Sequence, residues 1–211
     1  MKTSECDIVV VGVGGQGVIL LSSIIGKAAL KAGIPVRSAE THGMAQRGGS
    51  VINHLRIGCV FGPKVPIGGA DILLALEPAE ALRNAHYLSK DGIALVNINP
   101  VLPSTVTTGQ SRYPPLEEIL DPLERICKEI KTVDATKLAV KAGNSQTMNV
   151  VMLGVLSKYI PLREEMLFES LSESVPAKFL EVNRRAFELG KREMQEDRYA
   201  MRQKSESLKF Q

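Results

Sequence analysis

A run of β-branched residues that stops at a cluster of glycines constrains this chain more than any other stretch. Residues 8–11 read I-V-V-V, and sequence with helical character begins at Val18. Four glycines stand between them, at Gly12, Gly14, Gly15 and Gly17. An apolar, β-branched run that ends at glycine is typical of a buried strand in a parallel sheet. This order therefore predicts a strand, a tight turn and a helix.

The spacing of Gly12, Gly14 and Gly17 matches the G-x-G-x-x-G pattern of phosphate-binding turns. Glycine permits positive φ and lets a ligand approach the bare backbone. The helix that follows directs free N–H groups and its positive dipole end at the same space. The turn is thus predicted to hold an anionic group, most often a phosphate. A second interpretation stays open, in which the glycines only let the strand and the helix pack closely.

The region after the second predicted strand does not complete a dinucleotide-binding fingerprint. In that fingerprint an acidic residue about 20 residues further on binds the ribose of NAD. The second strand is predicted at residues 34–37, and Arg37 and Ser38 stand at its end, with Glu40 slightly beyond. An arginine there suits a 2′- or 3′-phosphate, so NAD is not favoured. A stand-alone NAD(P)-binding oxidoreductase stays an alternative.

The composition is that of an ordinary globular protein. The chain has 211 residues, of which 44% are hydrophobic and 23% charged, enough for one domain with a substantial core. We expect that domain over residues 1–195 and a polar, frayed tail over residues 196–211. A net charge of +3 and an aromatic content of 4% argue against a nucleic-acid partner.

The spacing of the cysteines and the hydropathy of the chain restrict which metal sites it can form and in which cellular compartment it is expected. Cys6, Cys59 and Cys127 lie far apart with no C-x-x-C pair, so by themselves they form neither a zinc ribbon nor a ferredoxin-type cluster. An odd number of cysteines without a targeting segment indicates reduced thiols in the cytoplasm. Polar residues interrupt the apolar stretches, which argues against a membrane span.

Strand and helix patterns alternate along the chain. They predict an α/β fold with a Rossmann-like, doubly wound, mostly parallel sheet and helices on both faces. Residues 38–49 have no apolar period and are predicted as a loop. Residues 50–57 are predicted as a strand that is half exposed or faces a partner, because it carries Asn53, His54 and Arg56.

Later segments carry clear local signals. A turn is predicted at residues 91–92 and a long irregular excursion, which holds four prolines, at residues 97–115. A helix is predicted over residues 116–129, and Asp134 is placed to cap the next helix. Residues 147–159 are apolar nearly all round, so we expect a helix buried in a core or an interface.

The loop that follows the second strand carries the strongest candidates for chemistry. Glu40 and His42 are close enough in sequence for acid–base work, and Arg47 can bind a carboxylate or phosphate bidentately. The alternative is a loop whose polar residues meet water or another chain, since no nucleophile or metal partner lies at a fixed spacing. His54 and His86 are expected to be structural or surface residues. We therefore predict no catalytic residue and no metal site on this chain.

Two separated motifs give the chain a family resemblance. Residues 12–18, G-V-G-G-Q-G-V, and residues 40–51, E-T-H-G-M-A-Q-R-G-G-S-V, resemble the gamma-type subunit of 2-oxoacid:ferredoxin oxidoreductases. The second motif is most similar to the indolepyruvate branch, in its small (beta) subunit. The likeness extends to Asp71 and to residues 144–154, and it covers roughly residues 7–187.

The resemblance implies a subunit that is inactive alone. Enzymes of this family decarboxylate a 2-oxoacid on thiamine diphosphate, pass electrons through iron–sulfur clusters to ferredoxin and release an acyl-CoA. The thiamine site and the clusters would lie on a large partner subunit in a hetero-oligomer, and this chain would contribute an interface and a coenzyme A site. A non-catalytic CoA- or nucleotide-binding module is the remaining alternative.

The resemblance also implies roles for single residues. The phosphate cradle would be formed by residues of the first motif: Gly12, Gly14, Gly15, Gln16 and Gly17. Arg47 would be a second anion contact or an anchor to the large subunit, and Glu40 and His42 would contact partner or substrate. Asn144 and Asn149 would bind ligand or backbone, with structural capping as the alternative for both.

Overall fold

The computed structural model describes residues 5–42 and 49–207, with side chains for residues 5–41 and 49–193. These residues form one six-stranded sheet with the spatial order β2-β3-β1-β4-β5-β6. The strands are β1 (Cys6–Val13), β2 (Val36–His42), β3 (Ser50–Ile57), β4 (Ala70–Ala75), β5 (Leu88–Asn97) and β6 (Glu129–Val133). The apolar run that opens the sequence thus becomes β1, in the middle of the sheet.

The sheet is mostly parallel, with one exception. Strand β1 runs parallel to β4, β4 to β5, and β5 to β6, whereas β3 is antiparallel to both β1 and β2. Only residues 43–49 separate β2 from β3, fewer than the dozen or so that a crossover between parallel neighbours needs, so the two strands pair antiparallel. The predicted α/β fold with a mostly parallel sheet is confirmed.

Helices cover both faces of the sheet, as the alternation of strand residues requires. Ile8 and Val10 of β1 belong to the larger core, and Val9 and Val11 belong to the smaller core on the other face. The helices are α1 (Val18–Lys31), α2 (Pro78–Arg83), α3 (Ser104–Thr107), α4 (Leu116–Glu124), α5 (Ala135–Ala142), α6 (Met148–Leu156), α7 (Glu164–Ser174) and α8 (Leu180–Ser207). Short 3₁₀ turns lie at Ala85–Tyr87, Ser145–Thr147 and Ala177–Phe179. The larger core takes its helical residues from α1, α5, α6, α7 and α8, and the smaller core from α2 and α4.

Two predictions about the β2–β3 region are wrong. Residues 38–42, predicted as loop, continue β2, because the backbone of β3 supplies ladder partners from Ile57, opposite Val36, to Val51, opposite His42. Strand β3 is neither half exposed nor free to face a partner. It lies between β1 and β2, and its polar residues Asn53 and His54 are buried.

Other boundaries differ in detail. Gly92, predicted in a turn, lies within β5, where an added Cβ would be 2.7 Å from the Ala70 carbonyl oxygen. The helix predicted to reach Glu129 ends at Glu124. Helix α8 continues to Ser207, into the span predicted as a polar tail. Asp134 caps α5 as predicted, since its carboxylate accepts from the Lys137 N–H at 3.0 Å.

The all-apolar helix predicted near residues 147–159 is α6, and its nine residues are all buried. It crosses α8 at two glycines. An added Cβ at Gly154 would be 2.2 Å from the Phe187 carbonyl oxygen, and one at Gly190 would be 2.0 Å from that of Val151. The backbones of the two helices are therefore in direct contact, and the burial of α6 is achieved within this chain.

Candidate functional site

The glycine-rich turn lies at the carboxyl end of β1, where α1 begins. Gly15 and Gly17 both have positive φ, of 103° and 81°, a conformation that glycine adopts without a Cβ penalty. Gly17 is the N-cap of α1, and no side chain caps the helix. The N–H groups of the first turn, which have no partner within the helix, therefore point at the space in front of it.

Part of the predicted cradle is engaged within the protein. The Gly14 N–H donates to the Gly49 carbonyl at 2.8 Å. The Gln16 amide oxygen accepts from the Val13 N–H at 2.7 Å, and its Nε2 donates to the Leu76 carbonyl at 3.0 Å. The side chain of Gln16 thus joins the ends of β1 and β4.

Gly12 and Gly15 differ in what surrounds them. An added Cβ at Gly12 would be 2.9 Å from Gln16 Oε1 and 3.1 Å from Leu76 Cβ, so glycine is required there by close packing. An added Cβ at Gly15 would meet nothing within 4 Å. Gly15 is therefore the position of the turn at which a ligand can approach the backbone.

A cavity of about 420 Å³ opens in front of α1. The turn and the start of α1 form one wall, and the 3₁₀ turn before α6 forms the other. Its lining residues are all uncharged: Gly15, Gln16, Gly17, Leu20, Ser145, Gln146, Met148 and Asn149. An anion in this cavity would be held by backbone and amide dipoles, with any positive side chain contributed from elsewhere.

The two asparagines differ in their relation to the cavity. Asn144 is the N-cap of the 3₁₀ turn, and its Oδ1 accepts from the Gln146 N–H at 3.0 Å, which is the capping role left open by the sequence. Asn149 is 5% exposed and lines the cavity. Its amide nitrogen lies against Gly17, where an added Cβ would be 2.3 Å from Nδ2.

The second motif meets the first at the same edge of the sheet. His42, the last residue of β2, is opposite Val51, which is opposite Gly12 in β1. Glu40 lies on β2 opposite Asn53 and is exposed. The His42 side chain and Arg47 lie outside the described residues, so their predicted contacts stay predictions.

A second cavity, of about 470 Å³, lies across the turn, between α2 and the excursion at residues 98–115. Glu77 lines this cavity and is 2% exposed. The Glu77 carboxylate accepts from the Tyr113 hydroxyl at 2.5 Å, from the Val101 N–H at 3.3 Å and from the Glu80 N–H at 3.0 Å. Burial and the bond to Glu77 raise the pKa of Tyr113. One carboxylate thus ties both ends of the excursion to the end of β4.

Glu80 extends this network to the second motif. It is 1% exposed, accepts from the Ser50 hydroxyl at 2.6 Å and pairs with Arg83. Sequence reasoning missed both carboxylates. The available signal was Glu77-Pro78 directly after a buried strand with Glu80 three residues on, a spacing typical of a capped helix start.

His54 and the three cysteines lie in buried surroundings. His54 is buried, its Nδ1 accepts from the Val65 N–H at 3.3 Å, and burial lowers its pKa, with the positive charge of Lys64 adding to the effect. His86 is exposed. All three cysteines are buried and unpaired, and burial, with nearby Asp71, raises the pKa of Cys6 to about 12.

Among the side chains of residues 5–41 and 49–193, no group of three or more from His, Cys, Asp and Glu is placed to hold a metal ion. No helix in the described part of the chain combines the length and the apolar character needed to cross a membrane.

Sequence comparison finds relatives along nearly the whole chain. Residues 7–193 match the family "Pyruvate ferredoxin/flavodoxin oxidoreductase". The indolepyruvate oxidoreductase subunit IorB of Archaeoglobus fulgidus is 46% identical over 186 residues, which is 87% of this chain and 92% of that protein. The subunit of the same name from Thermococcus kodakarensis is 47% identical over 190 residues, covering 88% and 94%.

Two solved structures share this fold. The gamma subunit of a keto/oxoacid ferredoxin oxidoreductase from Geobacter sulfurreducens superposes with a TM-score of 0.64 at 25% identity, over 88% of this chain and 95% of that chain. A 2-oxoglutarate:ferredoxin oxidoreductase from Magnetococcus marinus gives 0.67 at 21% identity, over 90% of this chain and 31% of that chain, a likeness of fold.

The resemblance drawn from the two motifs is confirmed. The matched region contains the glycine-rich turn, the β2–β3 hairpin and α6. The identities above 40% extend over almost the full length of the archaeal relatives. The chain belongs to the pyruvate ferredoxin/flavodoxin oxidoreductase family.

Proposed function

We propose that this chain is the small subunit of a 2-oxoacid:ferredoxin oxidoreductase of the indolepyruvate type. The complex would oxidatively decarboxylate aryl pyruvates to acyl-CoA with ferredoxin as the electron acceptor. The observation that carries this proposal is the 46–47% identity to indolepyruvate oxidoreductase subunits over at least 92% of their length. Relatives named as common gamma subunits of pyruvate/ketoisovalerate oxidoreductases stand further away, at 28% identity in Pyrococcus furiosus.

Thiamine diphosphate and the iron–sulfur clusters belong to the large partner subunit in this proposal. Buried, widely separated cysteines on this chain are unsuited to ligate a cluster, because cluster ligands must converge as thiolates. The chain then works as part of a cytoplasmic hetero-oligomer, and ferredoxin meets the complex rather than this subunit by itself.

Coenzyme A is the ligand we assign to the cavity in front of α1. Its phosphate groups suit an uncapped helix start, where each favourable anion contact is worth about 0.3–1 kcal/mol of dipole attraction in addition to the hydrogen bonds. Gly15 leaves the backbone open at this point, and the wall at residues 145–149 limits the space on the other side. This chain's contribution is to bind and orient the thiol carrier while the decarboxylation takes place on the partner.

The experiment that tests the function is co-expression with the large subunit. The purified complex should reduce ferredoxin in a CoA-dependent reaction, with aryl pyruvates preferred over pyruvate and 2-oxoglutarate. The isolated chain should be inactive with each of them and with NADH. Efficient NADH oxidation by the isolated chain would instead favour a stand-alone dehydrogenase, and a complex without oxoacid oxidation would favour a non-catalytic binding module.

A matched pair of variants tests the CoA assignment. Gly15 and Gly33 both have positive φ and open space at the Cβ position, but Gly33 follows α1 and lies outside the cavity. Alanine is strained at both positions, and more so at Gly15, whose φ of 103° lies further from the left-handed helical region than the 71° of Gly33. Gly15→Ala should raise the KM for CoA several-fold, whereas Gly33→Ala should leave it unchanged. Equal KM values in the two variants would contradict the assignment.

A further inference from the structure

A groove with an excess of positive charge lies between α5 and α8, apart from the two cavities described above. Its volume is about 330 Å³. The charged side chains of its lining are four cations and one carboxylate: Lys141, Arg184, Arg185, Arg192 and Glu188. The formal charge of this lining is therefore +3, equal to that of the whole chain. In the rest of the sequence the positive and negative charges balance.

Helical spacing brings these residues to one face. Arg185, Leu189 and Arg192 follow one another at intervals of four and three residues on α8, so they form one stripe along it. Lys141 comes from the last turn of α5, which packs against α8. Ala142 and Leu189 add apolar surface to the lining. The groove thus combines cations with apolar contact area.

The positive charge of the groove is only weakly neutralised by the protein. In the part of the chain whose side chains are described, Lys141 and Arg192 have no carboxylate within ion-pair distance. Arg185 lies 3.6 Å from Glu181, but both side chains are more than half exposed, and such a pair is worth little. Glu188 is already paired with Lys191 at 3.3 Å. Because the remaining cations repel one another, the groove favours an anionic partner.

A second copy of this chain does not offer the complementary surface. A neighbouring groove between α7 and α8 is acidic, with the carboxylates Glu164, Glu165, Glu169 and Glu188 in its lining. Lys191 lies 2.6 Å from Glu164 and 3.3 Å from Glu188, and Lys31 lies 2.7 Å from Glu169. Since these carboxylates already have lysine partners within the chain, the uncompensated charge is positive, and its partner must come from a different protein.

We propose that the groove between α5 and α8 binds an acidic segment of the large partner subunit. The proposal rests on the proposed function, which gives this chain a constant protein partner. The described lining has no aromatic side chain on which a nucleic-acid base could stack. Arg185, whose side chain is 59% exposed, is not held in the fixed fork that a small anion requires. Carboxylates interleaved with apolar residues would use both the cations and the apolar surface, and would steer the two subunits into register.

The test is the stability of the co-expressed complex towards dilution, measured by mass photometry. Lys141→Gln/Arg192→Gln removes the two cations that have no described partner, so no ion pair within the chain is lost. We expect the dissociation constant of the complex to rise about fivefold at about 0.1 M NaCl, as for the loss of two exposed ion pairs. At about 1 M NaCl, where the Debye length is about 3 Å, the difference from the wild type should disappear.

Arg125→Gln/Lys128→Gln is the matched control. It also removes one arginine and one lysine, both exposed, and they lie just after α4, on the opposite face of the sheet. The control should leave the dissociation constant unchanged. Equal weakening by the two double variants would show an effect of net charge alone and would overturn the proposal.

Carbodiimide cross-linking of the wild-type complex identifies the occupant, because this reagent joins a lysine amine directly to a carboxylate in contact with it. Mass spectrometry should find Lys141 joined to an Asp or Glu of the large subunit. A link to a second copy of this chain, or unchanged dissociation of the Lys141/Arg192 variant, would overturn the proposal, and a wild-type complex active with aryl pyruvates would leave the proposed function standing. A wild-type chain that forms no complex with the large subunit would refute both.

Discussion

The contact between α6 and α8 allows a sharp test of how this core is packed. At Gly190 an added Cβ would be 2.0 Å from the Val151 carbonyl oxygen, where contacts under 3.0 Å essentially never occur. Alanine at this position must therefore separate the two helices by about 1 Å, because a backbone carbonyl in a buried helix cannot rotate away. Gly190→Ala is expected to destabilise the protein.

The expected loss of stability in Gly190→Ala is the balance of unfavourable packing and a favourable helix propensity. Overpacking a core costs about 1–3 kcal/mol, and a gap of about 0.5–1 Å along α6 also removes a quarter to a half of the dispersion attraction across it. Alanine recovers about 0.5–1 kcal/mol from its higher helix propensity. The net loss should be about 2 kcal/mol, which for a domain of this size lowers Tm by about 4–8 °C.

Gly26 provides the matched control. It lies inside α1, and an added Cβ there would meet nothing within 4 Å. Gly26→Ala should therefore stabilise the chain by up to about 1 kcal/mol. Urea unfolding followed by circular dichroism, at one fixed protein concentration, measures the free energy of unfolding of both variants. The same substitution should have opposite signs at the two glycines, and a neutral or stabilising Gly190→Ala would refute the close contact.

Three further substitutions test single polar groups. Burial lowers the pKa of His54 in the folded protein, so on acidification the unfolded chain takes up a proton at this residue before the folded chain does. The free energy of unfolding should therefore fall as the pH is lowered from about 7.5 to about 5. His54→Gln should flatten this fall in urea titrations, and equal slopes for the two proteins would exclude the effect. Tyr113→Phe removes a donor to Glu77, so we expect a loss of about 1–3 kcal/mol and faster amide hydrogen exchange at Val101; unchanged exchange would contradict that tie. Asn97, 1% exposed, bonds backbone groups through both ends of its amide, so Asn97→Ala should cost about 2 kcal/mol or more by thermal unfolding, and a loss under about 0.5 kcal/mol would disprove the bridging role.

Local sequence patterns correctly predicted the strands, helices and caps that can be recognised without knowing what packs against them. The β-branched run at residues 8–11 is buried on both faces whatever lies beside it, and the apolar residues of α6 fit only a core. Asp134 acts on the helix that directly follows it, so its capping role was also visible in the sequence.

Polar residues were harder to interpret, because their partners come from distant parts of the chain. Asn53 and His54 indicated exposure, yet Ser38 donates to Asn53 Oδ1 at 3.0 Å and Val65 donates to His54. Gln16 was assigned to a ligand because it stands in the motif, and its side chain bonds Leu76, 60 residues further on. No spacing rule reports such contacts.

The antiparallel strand in an otherwise parallel sheet has a consequence for how these subunits diverge. A crossover connection would carry the chain to the opposite end of the sheet, whereas the hairpin returns it at Gly49, whose carbonyl accepts from the Gly14 N–H. His42 and Gly49, the residues on either side of this segment, therefore both lie at the end of the sheet that carries the glycine-rich turn. We expect related subunits to differ more between these two residues than in the strands and the turn beside them.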